Sequence, residues 1–251
     1  HRLENNRGLS YTRNTAVAVS KGELIAFLDA DDIWHKDKLT SQVALYKSLN
    51  KPAVIYCGVK VVMNNQIHLL PPSYKGMIYD KLLVKNYIIS PSVVMMPKAV
   101  FMDVGGFDTS REMPEDHDLF IRLSEKYEFY YVSSFHVTYA VGKTSRSANP
   151  VVKEETYFYR LSKYHKQIIE RGLLDKALAV YYDSVALLYR RGGNFKKASQ
   201  LQSKSAAHCP TVSSIVKAVL SVCESYLKIN IIDAILFNHT LNKLRGLRHK
   251  S

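Results

Sequence analysis

Three carboxylates within four positions, Asp29-Ala30-Asp31-Asp32, follow directly on the apolar run Leu24-Ile25-Ala26-Phe27-Leu28. That run, bounded by Gly22 and the acids, predicts a short buried strand over residues 24–28. The acids then sit at the carboxyl end of a strand, the edge of an open sheet where ligands collect. Side chains alternate along a strand, so a continuing pleat sends Asp29 and Asp31 to the same side. Two carboxylates there repel unless a cation or hydrogen-bond donors lie between them. A hard divalent ion carrying a diphosphate supplies the simplest relief. The competing reading is a polar turn after a strand, where Asp is common.

Other elements must position this cluster. Residues 7–21 predict a short helix, with Ser10 as N-cap and Gly22 as its stop. On it, Arg13 and Asn14 turn toward the acids, where a cation suits diphosphate; a solvated helix face is the bland alternative. Residues 34–50 predict an amphipathic helix, residues 53–59 a strand extending to 63, and Asn64-Asn65-Gln66 a turn. A helix over 78–87 precedes the apolar run 88–96, which Pro91 demotes to a bent or edge element. Gly105-Gly106-Phe107-Asp108 is a turn of unusual backbone freedom after a helix near Lys98–Asp103. Pro114 opens the next helix, with Glu115, Asp116 and Asp118 in a first turn that suits the helix dipole. Asp118 reads as an exposed acid, His117 has no assigned role, and residues 127–132 predict a strand.

From residue 150 the pattern turns helical, with segments 154–171, 173–191 and 195–208 separated by Gly172 and Gly192-Gly193, and a last helical region after Pro210. The expected division is residues 1–149 and 150–251. The chain of 251 residues carries a net charge of +13, and the charge is uneven. Residues 151–251 hold 17 Lys and Arg against 7 Asp and Glu, a balance of +10, while residues 1–150 hold 18 against 15. The basic region suits an anionic membrane surface better than nucleic acid. The apolar stretch 231–237, followed by Lys243, Arg245, Arg248 and Lys250, suits a membrane interface or packing within the helical region. Cys57, Cys209 and Cys223 are scattered and read as reduced thiols, which with no signal-like start predicts a cytoplasmic setting, at the inner face of the plasma membrane.

Four pieces in order carry a resemblance: Asn6-Arg7-Gly8 with Arg13-Asn14; Gly22-Glu23 with Phe27-Leu28-Asp29-Ala30-Asp31-Asp32; Gly105-Gly106-Phe107-Asp108; and Glu115-Asp116 with Arg122-Leu123. Residues 1–149 resemble the later portion of a glycosyltransferase family 2 domain. The resemblance implies an α/β, GT-A-type Rossmann-like mixed sheet with flanking helices, followed here by an all-helical region. It implies inverting transfer from a nucleotide-sugar donor to a glycan or lipid-linked acceptor, in surface or extracellular polysaccharide synthesis. Asp29, with Arg13 and Asn14, would bind the donor; Asp31 would ligand Mg or Mn on the diphosphate; Asp116 would be the general base. Glu115, Gly106 and Phe107 fall on the acceptor side. Two departures stand out. The family's opening strand and base-binding loop are expected to be missing. The segment Tyr139-Ala140-Val141-Gly142-Lys143-Thr144-Ser145-Arg146 has Ala140 and Gly142 where the family often has Arg and His, so Lys143 or Arg146 would substitute. His136, a lone histidine on a strand, is left structural.

Two other classes remain open. A haloacid-dehalogenase-type phosphotransferase would use Asp29 as nucleophile and Asp31 as acid/base, although Ile33 departs from that pattern. An inactive glycosyltransferase-like adaptor would bind neither metal nor nucleotide.

Overall fold

The computed structural model describes residues 6–63, 66–110, 114–140 and 149–227. The chain forms two compact units, residues 1–145 and 146–251. The first is built on a mixed six-stranded sheet. Its long members are β3 (Ala53–Met63) and β6 (Glu128–Ala140), paired in parallel along most of their length. Around them run β1 (Leu24–Ala26), β2 (Asp32–Trp34), β4 (Gln66–Leu70) and β5 (Met95–Pro97), in the order β1-β5-β3-β6-β2, with β4 also on β3. Apart from β3–β6 every pairing is antiparallel. The β3 segment is buried from Ala53 to Val59, as expected of a central strand covered on both faces. The β3–β6 register shifts around Gly58, where the Phe135 ring lies 2.9 Å from the position a Cβ would take.

Helices α1 (Leu9–Val19), α2 (Lys38–Leu49), α3 (Tyr79–Val84), α4 (Lys98–Asp103) and α5 (Glu115–Lys126) flank the sheet. The mixed α/β class agrees with the sequence reading, and several local expectations change. The strand expected over 24–28 stops at Ala26, and a backbone bond from Asp32 N to Asp29 O (3.0 Å) turns the chain before β2 begins. The helix expected from residue 34 starts at Lys38, because residues 32–34 pair with β6. Gly8 caps α1, and Ser10 is buried in its first turn. The element around Pro91 is not at an edge. Pro91–Val93 form a 3-10 turn, and the three residues of β5 lie between β1 and β3. The turn at Asn64-Asn65, Lys143 and Arg146, and the 231–237 stretch with its basic neighbours lie outside the described residues.

Every regular element among the described residues of the second unit is a helix: α6 (Pro150–Lys163), α7 (His165–Glu170), α8 (Leu174–Arg191), α9 (Phe195–His208) and α10 (Val212–Leu227). Asn149 caps α6 by accepting from Val151 N at 2.9 Å, so the helix starts four residues earlier than its periodicity suggests. Small residues Ala179, Ala186 and Ala198 are buried with Val185 and Leu201 where α8 and α9 pack. Arg190 on α8 is tied to α10 by a fully buried ion pair, Nε to Glu224 Oε2 at 2.8 Å. No helix among the described residues is long and apolar enough to cross a membrane.

Candidate active site

Two acidic segments far apart in sequence meet on one arginine. Arg13, buried on α1, donates from Nη2 to Asp29 Oδ1 and from Nη1 to Glu115 Oε1 at 3.2 Å. These contacts span 16 and 102 residues, so they fix the tertiary position of the 29–32 turn against the start of α5. The guanidinium rests on the Phe107 ring, 5.2 Å from its centroid. Phe107, Phe101 and Phe27 form a three-ring cluster with centroid separations of 5.2 to 5.7 Å. Arg13 therefore has an apolar floor, which strengthens its attraction to both carboxylates.

Asn14, the next residue of α1, fastens the helix to the glycine turn. Its Nδ2 donates to Phe107 O at 2.8 Å, and its Oδ1 accepts from Phe107 N at 2.9 Å. Gly106 makes this approach feasible. Its φ of +66° is left-handed, and a Cβ there would lie 2.7 Å from Asn14 Oδ1. Phe107 is itself buried, so Gly106 and Phe107 support Arg13 and Asn14 from beneath.

The three acids of the 29–32 turn have three different environments. Asp29 is half-buried against Arg13, Asp31 is exposed, and Asp32 is buried. The expectation that Asp29 and Asp31 share one side of a pleat fails because the pleat has ended: strand alternation does not survive the Asp29–Asp32 turn. The cation beside Asp29 is the Arg13 guanidinium. Asp32 accepts from Ser90 Oγ at 3.1 Å, and its Oδ1 has no hydrogen-bond partner among the described residues. Burial pushes the Asp32 carboxyl above its ordinary range, and the Ser92 and Ser90 hydroxyls pull it back.

Sequence reasoning missed the serines. Asp29 N donates to Ser92 Oγ at 3.0 Å, and Trp34 Nε1 donates to Ser92 O at 2.8 Å. With Ser90 on Asp32, the 90–92 turn holds the acidic turn from behind. A Ser-Pro-Ser stretch signals a turn, and Ser90 does cap it by accepting from Ser92 N. Its long-range partners leave no local signature. Lys38 was also missed: it is fully buried, its Nζ 4.1 Å from the Trp34 ring centroid and 2.8 Å from Gln42 Oε1. Burial lowers this lysine to about 8 and raises the nearby Cys57 thiol to about 11.

At the other side of Arg13, Pro114 precedes α5 as the sequence predicts. Burial raises the Glu115 carboxyl, opposed by its own backbone and by Arg13. Asp116 is half-buried and accepts from the backbone N of His117 at 2.6 Å. Asp118 is not an exposed acid: it is buried and accepts from Arg122 Nε at 2.9 Å, while the same arginine reaches Val104 O. His117 is buried too, and its Nε2 bonds the Leu82 carbonyl at 2.8 Å, joining α5 to α3.

The described residues contain no group of three or more His, Cys, Asp or Glu side chains arranged to hold a metal ion. The donor set does fit a cation that arrives with phosphate. Magnesium-type sites commonly use one or two carboxylates and take their remaining ligands from the phosphates and water. Exposed Asp31 offers one such carboxylate, whereas the unpartnered oxygen of Asp32 is buried.

Residues 1–105 match the family model described as Glycosyl transferase family 2, a stretch that holds Arg13, Asn14, Asp29 and Asp31 and ends before Glu115. An uncharacterized glycosyltransferase of Rickettsia typhi is 23% identical over 203 residues, 76% of this chain and 63% of the relative. A UDP-Glc:alpha-D-GlcNAc-diphosphoundecaprenol beta-1,3-glucosyltransferase of Escherichia coli is 33% identical over 94 residues, 38% of this chain and 36% of the relative. The chain thus spans less than two thirds of the length of either. Among solved structures, a mannosyltransferase from Pyrobaculum calidifontis in complex with GDP-Man and Mn2+ aligns with a TM-score of 0.52 at 17% identity, covering 89% of this chain and 61% of that one. Residues 1–105 are thus similar to glycosyl transferase family 2, and the mixed sheet shares its fold with the GT-A-type mannosyltransferase structure.

Proposed function

We propose that this chain carries the catalytic centre of an inverting glycosyltransferase, moving a sugar from a nucleotide-diphosphate sugar to a hydroxyl of a glycan or lipid-linked acceptor in surface polysaccharide synthesis. The observation that carries the reading is the meeting of Asp29 and Glu115 on Arg13, which brings the 29–32 turn and the start of α5 to one locus. Support for the donor and acceptor classes comes from the relatives' names, a glucosyltransferase acting on a diphosphoundecaprenol-linked sugar and a mannosyltransferase bound to GDP-Man and Mn2+.

In this reading Asp29, oriented by Arg13, takes the donor's ribose hydroxyls, and Asn14 keeps α1 in register for that contact. Asp31 holds Mg or Mn, which when bound offsets the negative charge gathering on the departing diphosphate. Asp116 accepts the proton of the acceptor hydroxyl as its oxygen bonds the sugar's anomeric carbon; the electron pair of the broken bond leaves with the nucleoside diphosphate. Attack opposite the leaving group inverts the anomeric centre, which requires base and diphosphate on different sides of the sugar. The Ser90 and Ser92 hydroxyls fix the acidic turn without touching the reacting atoms.

The test is nucleoside diphosphate release from a panel of nucleotide sugars with Mg or Mn, using the full chain. Asp116→Asn is expected to lower kcat by about 10²–10⁴-fold, and Asp31→Ala to raise the metal requirement and lower turnover. Unchanged turnover in both variants would sink the assignment. Calorimetry showing neither metal nor nucleotide binding would favour an adaptor.

A further inference from the structure

The last described helix is built inside out. On α10 the exposed large side chains are Val212, Ile215, Val216, Val219 and Val222, with exposures from 40% to 82%. Their spacing of three and four residues puts them on one continuous stripe. The helix's two charged residues turn the other way. Glu224 is fully buried against Arg190, and Lys217 Nζ reaches Asp183 Oδ2 at 3.2 Å, both partners lying on α8. Arg190 also donates to Ser221 on the same inner face, at 3.3 Å. These polar contacts fix the rotation of α10 about its axis, so the valine stripe faces outward by construction. A helix on a water-facing surface ordinarily shows the opposite pattern.

Charge selects the occupant. Residues 151–251 carry a balance of +10, and residues 228–251 contain Lys228, Lys243, Arg245, Arg248 and Lys250 against the single acid Asp233. A second copy of this chain would bring the same positive charge to the face, which disfavours self-association. Anionic lipid headgroups complement that charge, and the acyl boundary beneath them takes a Val/Ile stripe. We propose that α10 is an in-plane contact for an anionic bilayer surface, its valine stripe entering the interface and the positive charge of this half of the chain drawing it to the headgroups. The contact is independent of the catalytic reading and brings this chain to the surface where a lipid-linked acceptor would reside.

The test is co-sedimentation of the full-length chain with vesicles of phosphatidylcholine mixed with phosphatidylglycerol, beside pure phosphatidylcholine vesicles. Binding is expected to the mixed vesicles only, and to weaken as salt screens the headgroups. Val216→Glu/Val219→Glu is expected to reduce partitioning by about tenfold or more, with circular dichroism unchanged because both positions are exposed. Val219→Ser, a milder change at one position, is expected to give a smaller loss and serves if the double variant misfolds. Absence of binding to the mixed vesicles overturns the proposal, as does binding that both variants leave intact. A wild-type dimer by light scattering that the glutamates dissociate, without vesicle binding, assigns the face to a second copy and overturns it equally.

Discussion

Arg13 in the first unit and Arg190 in the second are both buried arginines held to carboxylates, in contrasting settings. Arg190 meets a single acid, Glu224; their side chains are 2% and 0% exposed, and Ser221 fills a further donor. The pair is buried, and its effect is to fix α10 on α8. Arg13 meets two acids, and Asp29 keeps 27% of its side chain exposed. Asp31 and Asp32 follow within three residues, so the locus keeps a surplus of negative charge with an opening to solvent. A buried pair specifies packing. An open cluster with surplus negative charge keeps carboxylates within reach of solvent, which is what distinguishes this locus from the buried ion pair of the same chemistry.

The contrast breaks most sharply at Arg190. Arg190→Met removes the arginine partner of buried Glu224 and is expected to cost the second unit about 3–5 kcal/mol. Helical circular dichroism during guanidinium unfolding should report it. The fluorescence of Trp34, the single tryptophan and a first-unit residue, should keep its midpoint. Arg190→Met/Glu224→Met should recover most of the loss, since it removes both charges.

Arg13→Met is expected to cost less, about 2 kcal/mol at neutral pH, because Asp29 keeps access to water. Its pH dependence is the sharper readout. Glu115 is raised in the folded state, so its protonation favours folding: that contribution is present at low pH and lost as pH rises through the folded value. Without Arg13 the window moves upward, so the variant's deficit should shrink on acidification from pH 7. A deficit independent of pH would mean that Asp29 and Glu115 do not share Arg13 in solution.

Lys38 supplies a third case, a buried cation whose near contacts are the Trp34 ring and Gln42. Burial lowers it from 10.5 to about 8, so wild-type stability is present above 10.5 and lost as pH falls through about 8. Lys38→Met should abolish that slope and stabilise the first unit by about 2 kcal/mol at pH 7. Denaturation midpoints across the range measure both. The smallest effect is expected at Gly106→Ala, about 1 kcal/mol from the left-handed φ. Crowding of Asn14 should add lost turnover that thermal melting alone does not register.

Much of the first unit was legible because its signals are local. Pro114 and the acids behind it mark the start of α5, and the apolar run from Ala53 marks β3. Harder to read were elements whose identity is decided by distant partners. Residues 32–34 become a strand because β6 lies alongside them, and β6 reaches Ala140 because β2 and β3 continue to pair with it. Lys38 looks like an exposed helix-start cation until Trp34 covers it. Ser90 and Ser92 look like turn residues, and their bonds to Asp29 and Asp32 cross about sixty positions of sequence. The two acids expected on one pleat have different exposure, because the strand ends at Ala26 and a backbone bond turns the chain. Periodicity describes an element only while that element lasts.

Asn14 and Arg13 are neighbours on α1, one gripping the glycine turn and the other the two acids. Successive residues of a helix point about 100° apart. The angle between those two grips is therefore set by the helix itself and admits no adjustment in the side chains' anchor points. A codon inserted between Leu9 and Arg13 can be absorbed ahead of the helix, where Gly8 begins it. A codon inserted between Arg13 and Asn14 separates the grips by a further turn angle, so that whichever one is kept, the other is lost. In a library of single-residue insertions across residues 9–19, tolerance should fall to its minimum at that one junction.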